Sequence, residues 1–144
     1  MDDGSAVLLD GDRAYVGAPG AELVLVLAMD STGGWTVANQ LRSFDRPGGS
    51  QFGHALAVVG DELWVGAPGA NGGNGHVYRF MPDEAGGWQG SLRIAADSAD
   101  GTAWPFAFGY SLAGAGDRVA LGMPQRDFGE GRALVLGRED DAWE

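Results

Sequence analysis

Residues 52–69 read FGHALAVVGDELWVGAPG, and the stretch returns elsewhere in the chain. Phe52–Pro68 aligns without a gap to Phe108–Pro124, FGYSLAGAGDRVALGMP, at an offset of 56 with 8 of 17 positions identical. Gly4–Pro19, GSAVLLDGDRAYVGAP, aligns to Gly53–Pro68 at an offset of 49 with 8 of 16 identical. Composition alone gives roughly one or two matches in such a window. The chain therefore holds three copies of one unit of about 50 residues, a period that signals solenoids or propellers. The copies run on past the proline. LVLVLAM, GHVYRFM and GRALVLG fill one place, and Trp35, Trp88 and Trp143 mark the next.

Each unit reads as four short strands. In the middle copy these are HALAVV, ELWVGA, HVYRF and GWQGSLRI. All are rich in β-branched and aromatic residues and bounded by Gly, Asp or Pro, and no stretch keeps a helical period. In ELWVGA, Leu63 and Val65 fall on one face and Trp64 on the other, because side chains alternate along a strand. Gly60-Asp61 joins the first two strands, and Gly11-Asp12 and Gly116-Asp117 repeat it. A two-residue turn led by Gly is favoured, since Gly accepts positive φ at the first central position. The first strand carries a small residue (Ala6, Ala55, Ser111) followed by an aliphatic one (Val7, Leu56, Leu112). Small side chains suit a strand crowded on both faces, as the innermost strand of a propeller blade is.

These residues resemble the FG-GAP repeat. Phe52-Gly53 and Phe108-Gly109 match one end of the motif; Gly17-Ala18-Pro19 and Gly66-Ala67-Pro68 match the other. Gly122-Met123-Pro124 departs by one residue, and the first copy has Asp3 where Phe is expected. The resemblance covers nearly the whole chain. It implies an all-β fold of four-stranded, propeller-like blades, as in integrin α-subunits and bacterial secreted or surface proteins. The blades fall at about 3–42, 52–94 and 108–144, the last one truncated. It also implies an extracellular or cell-surface location and a non-catalytic scaffold that binds protein or carbohydrate. The alternatives are an accessory propeller of a secreted enzyme and a calcium-dependent adhesion module. Propellers close with roughly four to eight blades, so three copies predict an open arc, with the remaining blades supplied by a parent chain. Val7, Leu8 and Leu25 in the first unit, and Leu112, Leu121 and Val135 in the third, are expected to be more exposed than their middle-unit equivalents.

Integrin-type copies hold Ca²⁺ in the first hairpin. Calcium needs several converging oxygens, whereas VVGDELW, LDGDRAY and GAGDRVA offer one or two carboxylates each. The calcium ligand motif is therefore absent, and Asp12, Asp61 and Asp117 read as turn residues. No cofactor is expected.

The remaining composition narrows the function classes. Apolar residues are 44% and charged residues 20% of 144, an ordinary globular balance. The 26 glycines follow no fixed period and lie between short apolar runs, which reads as many tight turns. The formal charge of −11 repels nucleic acid and anionic membranes, so neither is an expected partner. The most apolar run, Leu23–Met29, is far shorter than the about 20 residues of a spanning helix. Without Cys there is no disulfide, thiolate site or Cys nucleophile.

Catalytic patterns are weak. His54 stands where the other copies have Ser5 and Tyr110, and His76 where one has Arg132, so both read as exposed or edge residues. Ser111, in GYSLAG, misses the nucleophile-elbow spacing. Gly69–Gly75, GANGGNG, lies between strands without the following helix or Lys of a phosphate loop. Asp83, Glu84, Asp97 and Asp100 fall in loops with no acid/base spacing. The segment before the third copy is longer than its counterpart and brings in Trp104, Pro105 and Phe106. Loop aromatics more often tuck against a neighbouring sheet; the other reading makes these three residues the one candidate binding surface.

Overall fold

The computed structural model describes residues 6–43, 49–70, 75–95, 108–123, 132–139 and 142–143. Its elements are twelve β-strands. The first four are β1 (Ala6–Asp10), β2 (Arg13–Ala18), β3 (Leu23–Met29) and β4 (Trp35–Leu41). Next come β5 (Ala55–Val59), β6 (Glu62–Ala67), β7 (His76–Pro82) and β8 (Trp88–Ala95). The last are β9 (Ser111–Ala115), β10 (Arg118–Met123), β11 (Arg132–Glu139) and β12 (Ala142–Trp143). They form three antiparallel four-stranded sheets, each pairing its strands in chain order and none closed on itself. The all-β expectation and the strand divisions of the sequence hold.

Register repeats from sheet to sheet. The first hairpins pair Asp10 with Arg13, Val59 with Glu62 and Ala115 with Arg118. Their leading glycines have φ of 63°, 63° and 60°, while the following aspartates stay at negative φ, the geometry a Gly-first turn requires. An irregularity recurs too. The pairing of the third and fourth strands shifts between Val26 and Leu27, and again between Arg79 and Phe80. Ala38 and Ser91 are the extra residues of these bulges. The Ser91 hydroxyl there accepts a 2.8 Å hydrogen bond from Arg79 Nε.

Alternation assigns the two faces of the middle sheet to different neighbours. Leu56, Leu63, Val65, Tyr78 and Phe80 point to the first sheet and close a core with Tyr15, Val24, Val26 and Leu41. Ala57, Val59, Trp64 and Val77 point the other way, to Val119 and Leu121 of the third sheet. So Leu63 and Trp64, adjacent in sequence, serve separate cores. Each core also takes one phenylalanine from the segment entering its later sheet. Phe52 and Phe108 are essentially fully buried, a burial of about 1.5–3 kcal/mol each. The first strands lie side by side, β5 against both β1 and β9.

The outward faces of the first and third sheets differ from the middle. Val7 is 66% exposed, whereas its equivalent Leu56 is 8% exposed. On these faces Leu25 is half-buried where Tyr78 is buried, and Val135 is exposed where Arg79 is half-buried; Leu8 and Leu112, which face the middle sheet, are half-buried where Ala57 and Leu56 are buried. Leu121 departs from the expectation, being fully buried. It is the counterpart of Val65, and both look back toward the preceding sheet, so Leu121 is covered by the middle sheet.

Candidate functional site

The repeated residues converge on the joints between sheets. A Cβ placed on Gly17 of β2 would fall on the Gly53 carbonyl, and one on Gly66 of β6 would fall on the Gly109 carbonyl. Only hydrogen fits, so the second strand of one sheet and the Phe-Gly of the next meet backbone to backbone. Gly53 has φ +100° and Gly109 φ +86°, a conformation that side-chain-bearing residues rarely adopt. The Gly53 amide also donates to the Gly66 carbonyl at 3.1 Å, and the Gly109 amide to Gly122 at 3.2 Å. Each Phe-Gly thus hydrogen-bonds within its own sheet while packing on the sheet before. Ala18, Pro19, Ala67 and Pro68 are buried beside these contacts. Pro124 lies outside the described residues.

Polar contacts reinforce the first joint. Glu22, at φ 55°, accepts hydrogen bonds on Oε1 from the Ser50 amide at 2.6 Å and the Ser50 hydroxyl at 2.7 Å. Burial alone would raise its carboxyl pKa. The Ser50 and Gly49 donors and the nearby Arg42 outweigh that and hold it below the ordinary value. Trp88 meets Tyr15 edge-on at 5.9 Å, and the Arg13 guanidinium stands 5.6 Å from its ring centroid. Burial raises the Tyr15 phenol pKa, with the neighbouring Arg13 opposing it. On the opposite face, Glu62 is 1% exposed and lies 3.8 Å from Arg79.

The residues screened for chemistry are scattered. His54 is half-buried; its Nδ1 is 3.1 Å from the Tyr110 carbonyl and its ring 4.5 Å from the Tyr110 ring. It meets its own repeat equivalent across the joint with the rings tilted by 45°. His76 is not the exposed or edge residue expected: it is 7% exposed, with Nδ1 3.4 Å from the Tyr78 hydroxyl. Ser111 is exposed at the start of β9, opposite Gly122. Within the glycine-rich segment, Gly75 packs on the Phe108 backbone. Asp83 Oδ1 caps its turn by accepting from the Ala85 amide at 3.0 Å and the Gly87 amide at 2.8 Å. Asp30 does the same for Thr32 and Gly34, and the Thr32 hydroxyl is the main cause of its lowered pKa. Asp97, Asp100 and the candidate surface Trp104, Pro105 and Phe106 lie outside the described residues. Among the described residues no three His, Asp or Glu side chains gather as a metal site would require.

Sequence reasoning did not foresee the Glu22–Ser50 bond, the Arg13–Trp88 contact or the buried Glu62. The first two depend on how one unit meets the next, and the third on the pairing of β6 with β7. In comparisons with known proteins, no family model matches the chain and no curated protein matches it.

Proposed function

We propose that this chain is a non-catalytic FG-GAP-type repeat module, its three sheets the blades of a propeller arc with β1, β5 and β9 innermost. The observation that carries the reading is the use to which the repeated residues are put. Phe52, Gly53, Gly66, Phe108 and Gly109 join one sheet to the next. Gly60 and Asp61, with their equivalents, make turns. The residues the repeat retains are thereby accounted for as scaffold.

On this reading function resides in the parts that vary between copies, namely the loops and outward faces. By resemblance, the module works at the cell surface or outside the cell and holds a protein or carbohydrate ligand. The test is binding of the purified chain to an array of glycans and immobilised extracellular proteins, with and without a chelator. Saturable binding indifferent to the chelator is expected. Turnover of a panel of generic hydrolase substrates would overturn the non-catalytic assignment, and binding abolished by chelation would favour the calcium-dependent module.

A further inference from the structure

The outward faces of the first and third sheets are the two halves of a joint the chain already makes twice. The outward face of the first sheet carries Val7, Leu9, Val16, Leu25, Leu27 and Val37, placed there by their pairing with Ala14 and with one another. Repeat equivalence maps this face onto the middle-sheet face that packs on β1–β4, and onto the third-sheet face that packs on β5–β8. Its own side chains are more open, with Leu9 69% and Val37 55% exposed and Val16, Leu25 and Leu27 half-buried.

The outward face of the third sheet carries Ser111, Ala113, Ala120, Gly122, Ala133 and Val135. It maps onto the middle-sheet face of Ala55, Ala57, Trp64, Gly66 and Val77, which receives β9–β12. It is smooth and made of small residues, with Val135 60% exposed. One face is bulky and apolar, the other shallow and apolar.

A further pair of residues selects the occupant. Within the chain, Arg13 of one sheet stands over Trp88 of the next at 5.6 Å. In the repeat, Arg118 is the equivalent of Arg13, and Trp35 the equivalent of Trp88. Arg118 is well exposed beside the third outward face, and Trp35 is 40% exposed on the first. The cation–π pair found at the first internal joint thus has its two counterparts one at each end of the sheet series, with Arg118 Nε 4.0 Å from its exposed neighbour Asp117.

We infer that a second copy of this chain docks head to tail, the third sheet of one copy on the first sheet of the next. The joint would continue the internal series, with Arg118 over Trp35 of the neighbouring copy. The contact is heterologous, joining two different faces, so association is open-ended unless the rotation closes a ring. Burial of Val7, Leu9 and Val135 drives it. The inference rests on face equivalence and stands apart from any ligand the module binds.

Sedimentation velocity over a concentration series tests it, with two variants, Val7→Arg and Val135→Arg. Both positions are at least 60% exposed, so each variant keeps its fold, checked by circular dichroism. The wild-type chain is expected to exceed the mass of one chain as concentration rises. Each variant alone is expected to be a monomer. An equimolar mixture of the two is expected to form a dimer and nothing larger, since the intact third-sheet face of Val7→Arg meets the intact first-sheet face of Val135→Arg. Arg118→Glu should weaken wild-type association without altering the fold. A wild-type chain monomeric throughout the series overturns the inference. So does a dimer that one variant abolishes and the other leaves intact, the signature of a face pairing with itself.

Discussion

Gly66 lies directly against the carbonyl of Gly109, so close that a Cβ on Gly66 would overlap that oxygen. The obstacle is backbone, which cannot rotate away as a side chain could. Gly66→Ala must therefore separate the second and third sheets or bend β6. Overpacking of a well-packed contact costs about 1–3 kcal/mol, occasionally more, and a clash with backbone belongs at the upper end. Gly137→Ala is the control, because nothing lies within 4 Å of a Cβ there; its effect is expected to stay within about 0.5 kcal/mol. Chemical denaturation of the two variants checks the difference.

The neighbours Leu63 and Trp64 are both fully buried but belong to different cores. Leu63→Ala removes apolar volume between the first and middle sheets, and Trp64→Ala between the middle and third. Typical costs are about 2–5 kcal/mol and about 3–5 kcal/mol. Hydrogen exchange should distinguish them. Protection is expected to fall mainly in β1–β4 for Leu63→Ala and in β9–β12 for Trp64→Ala, since openings follow contiguous cooperative units. A uniform loss in both would mean that the three sheets unfold as one unit.

Glu22 accepts two short hydrogen bonds from Ser50, which ties the β2–β3 turn to the segment entering β5. Its folded pKa lies below the ordinary 4.5. A depressed carboxyl pKa contributes stability that is fully present above the unfolded value and lost as pH falls through the folded one. The contribution is therefore expected at neutral pH and fades below about pH 4.5. Glu22→Gln should cost about 1 kcal/mol at pH 7, taking charge-assisted bonds as the stronger kind. The gap between variant and wild type should close toward pH 3. Melting curves across that range measure it, and a gap independent of pH would show that charge on Glu22 is not the cause.

Much of this architecture is legible in the sequence because it rests on local rules used three times. Gly60-Asp61 specifies its turn by backbone sterics alone, and ELWVGA specifies two faces by alternation. Repetition turns each weak signal into three aligned ones. What was not legible depends on contacts between units. Leu121 reads like its exposed neighbours in the third unit until the direction of each sheet is known. His76 reads as a polar edge residue, yet alternation along β7 puts it on the buried face of Tyr78, whose hydroxyl lies 3.4 Å from its Nδ1. Glu62 is a charged residue in an apolar strand, and only the pairing of β6 with β7 brings Arg79 to it. The candidate binding surface is the least legible part. Trp104, Pro105 and Phe106 sit in the longest departure from the repeat, where copy-to-copy comparison has nothing to align.

Trp35 and Trp88 open the fourth strands of the first and middle sheets at equivalent positions, yet their surroundings differ. Trp88 is half-buried, meeting Tyr15 edge-on with Arg13 over its ring. Trp35 is 40% exposed, with no preceding sheet among the described residues to receive it. The edge-on aromatic pair contributes about 0.5–1.5 kcal/mol beyond area burial, and an exposed cation–π contact about 0.5–1 kcal/mol. Trp88→Ala is therefore expected to lower stability by about 2 kcal/mol or more, and Arg13→Ala by less than about 1 kcal/mol. Trp35→Ala should stay within about 0.5 kcal/mol in the dilute, single-chain state. A double-mutant cycle on Arg13 and Trp88 isolates their coupling. The same cycle on Arg13 and Trp35 should give none, since these two residues face opposite sides of the first sheet. If Trp35→Ala proves as costly as Trp88→Ala at low concentration, the outward face of the first sheet is already covered in the single chain.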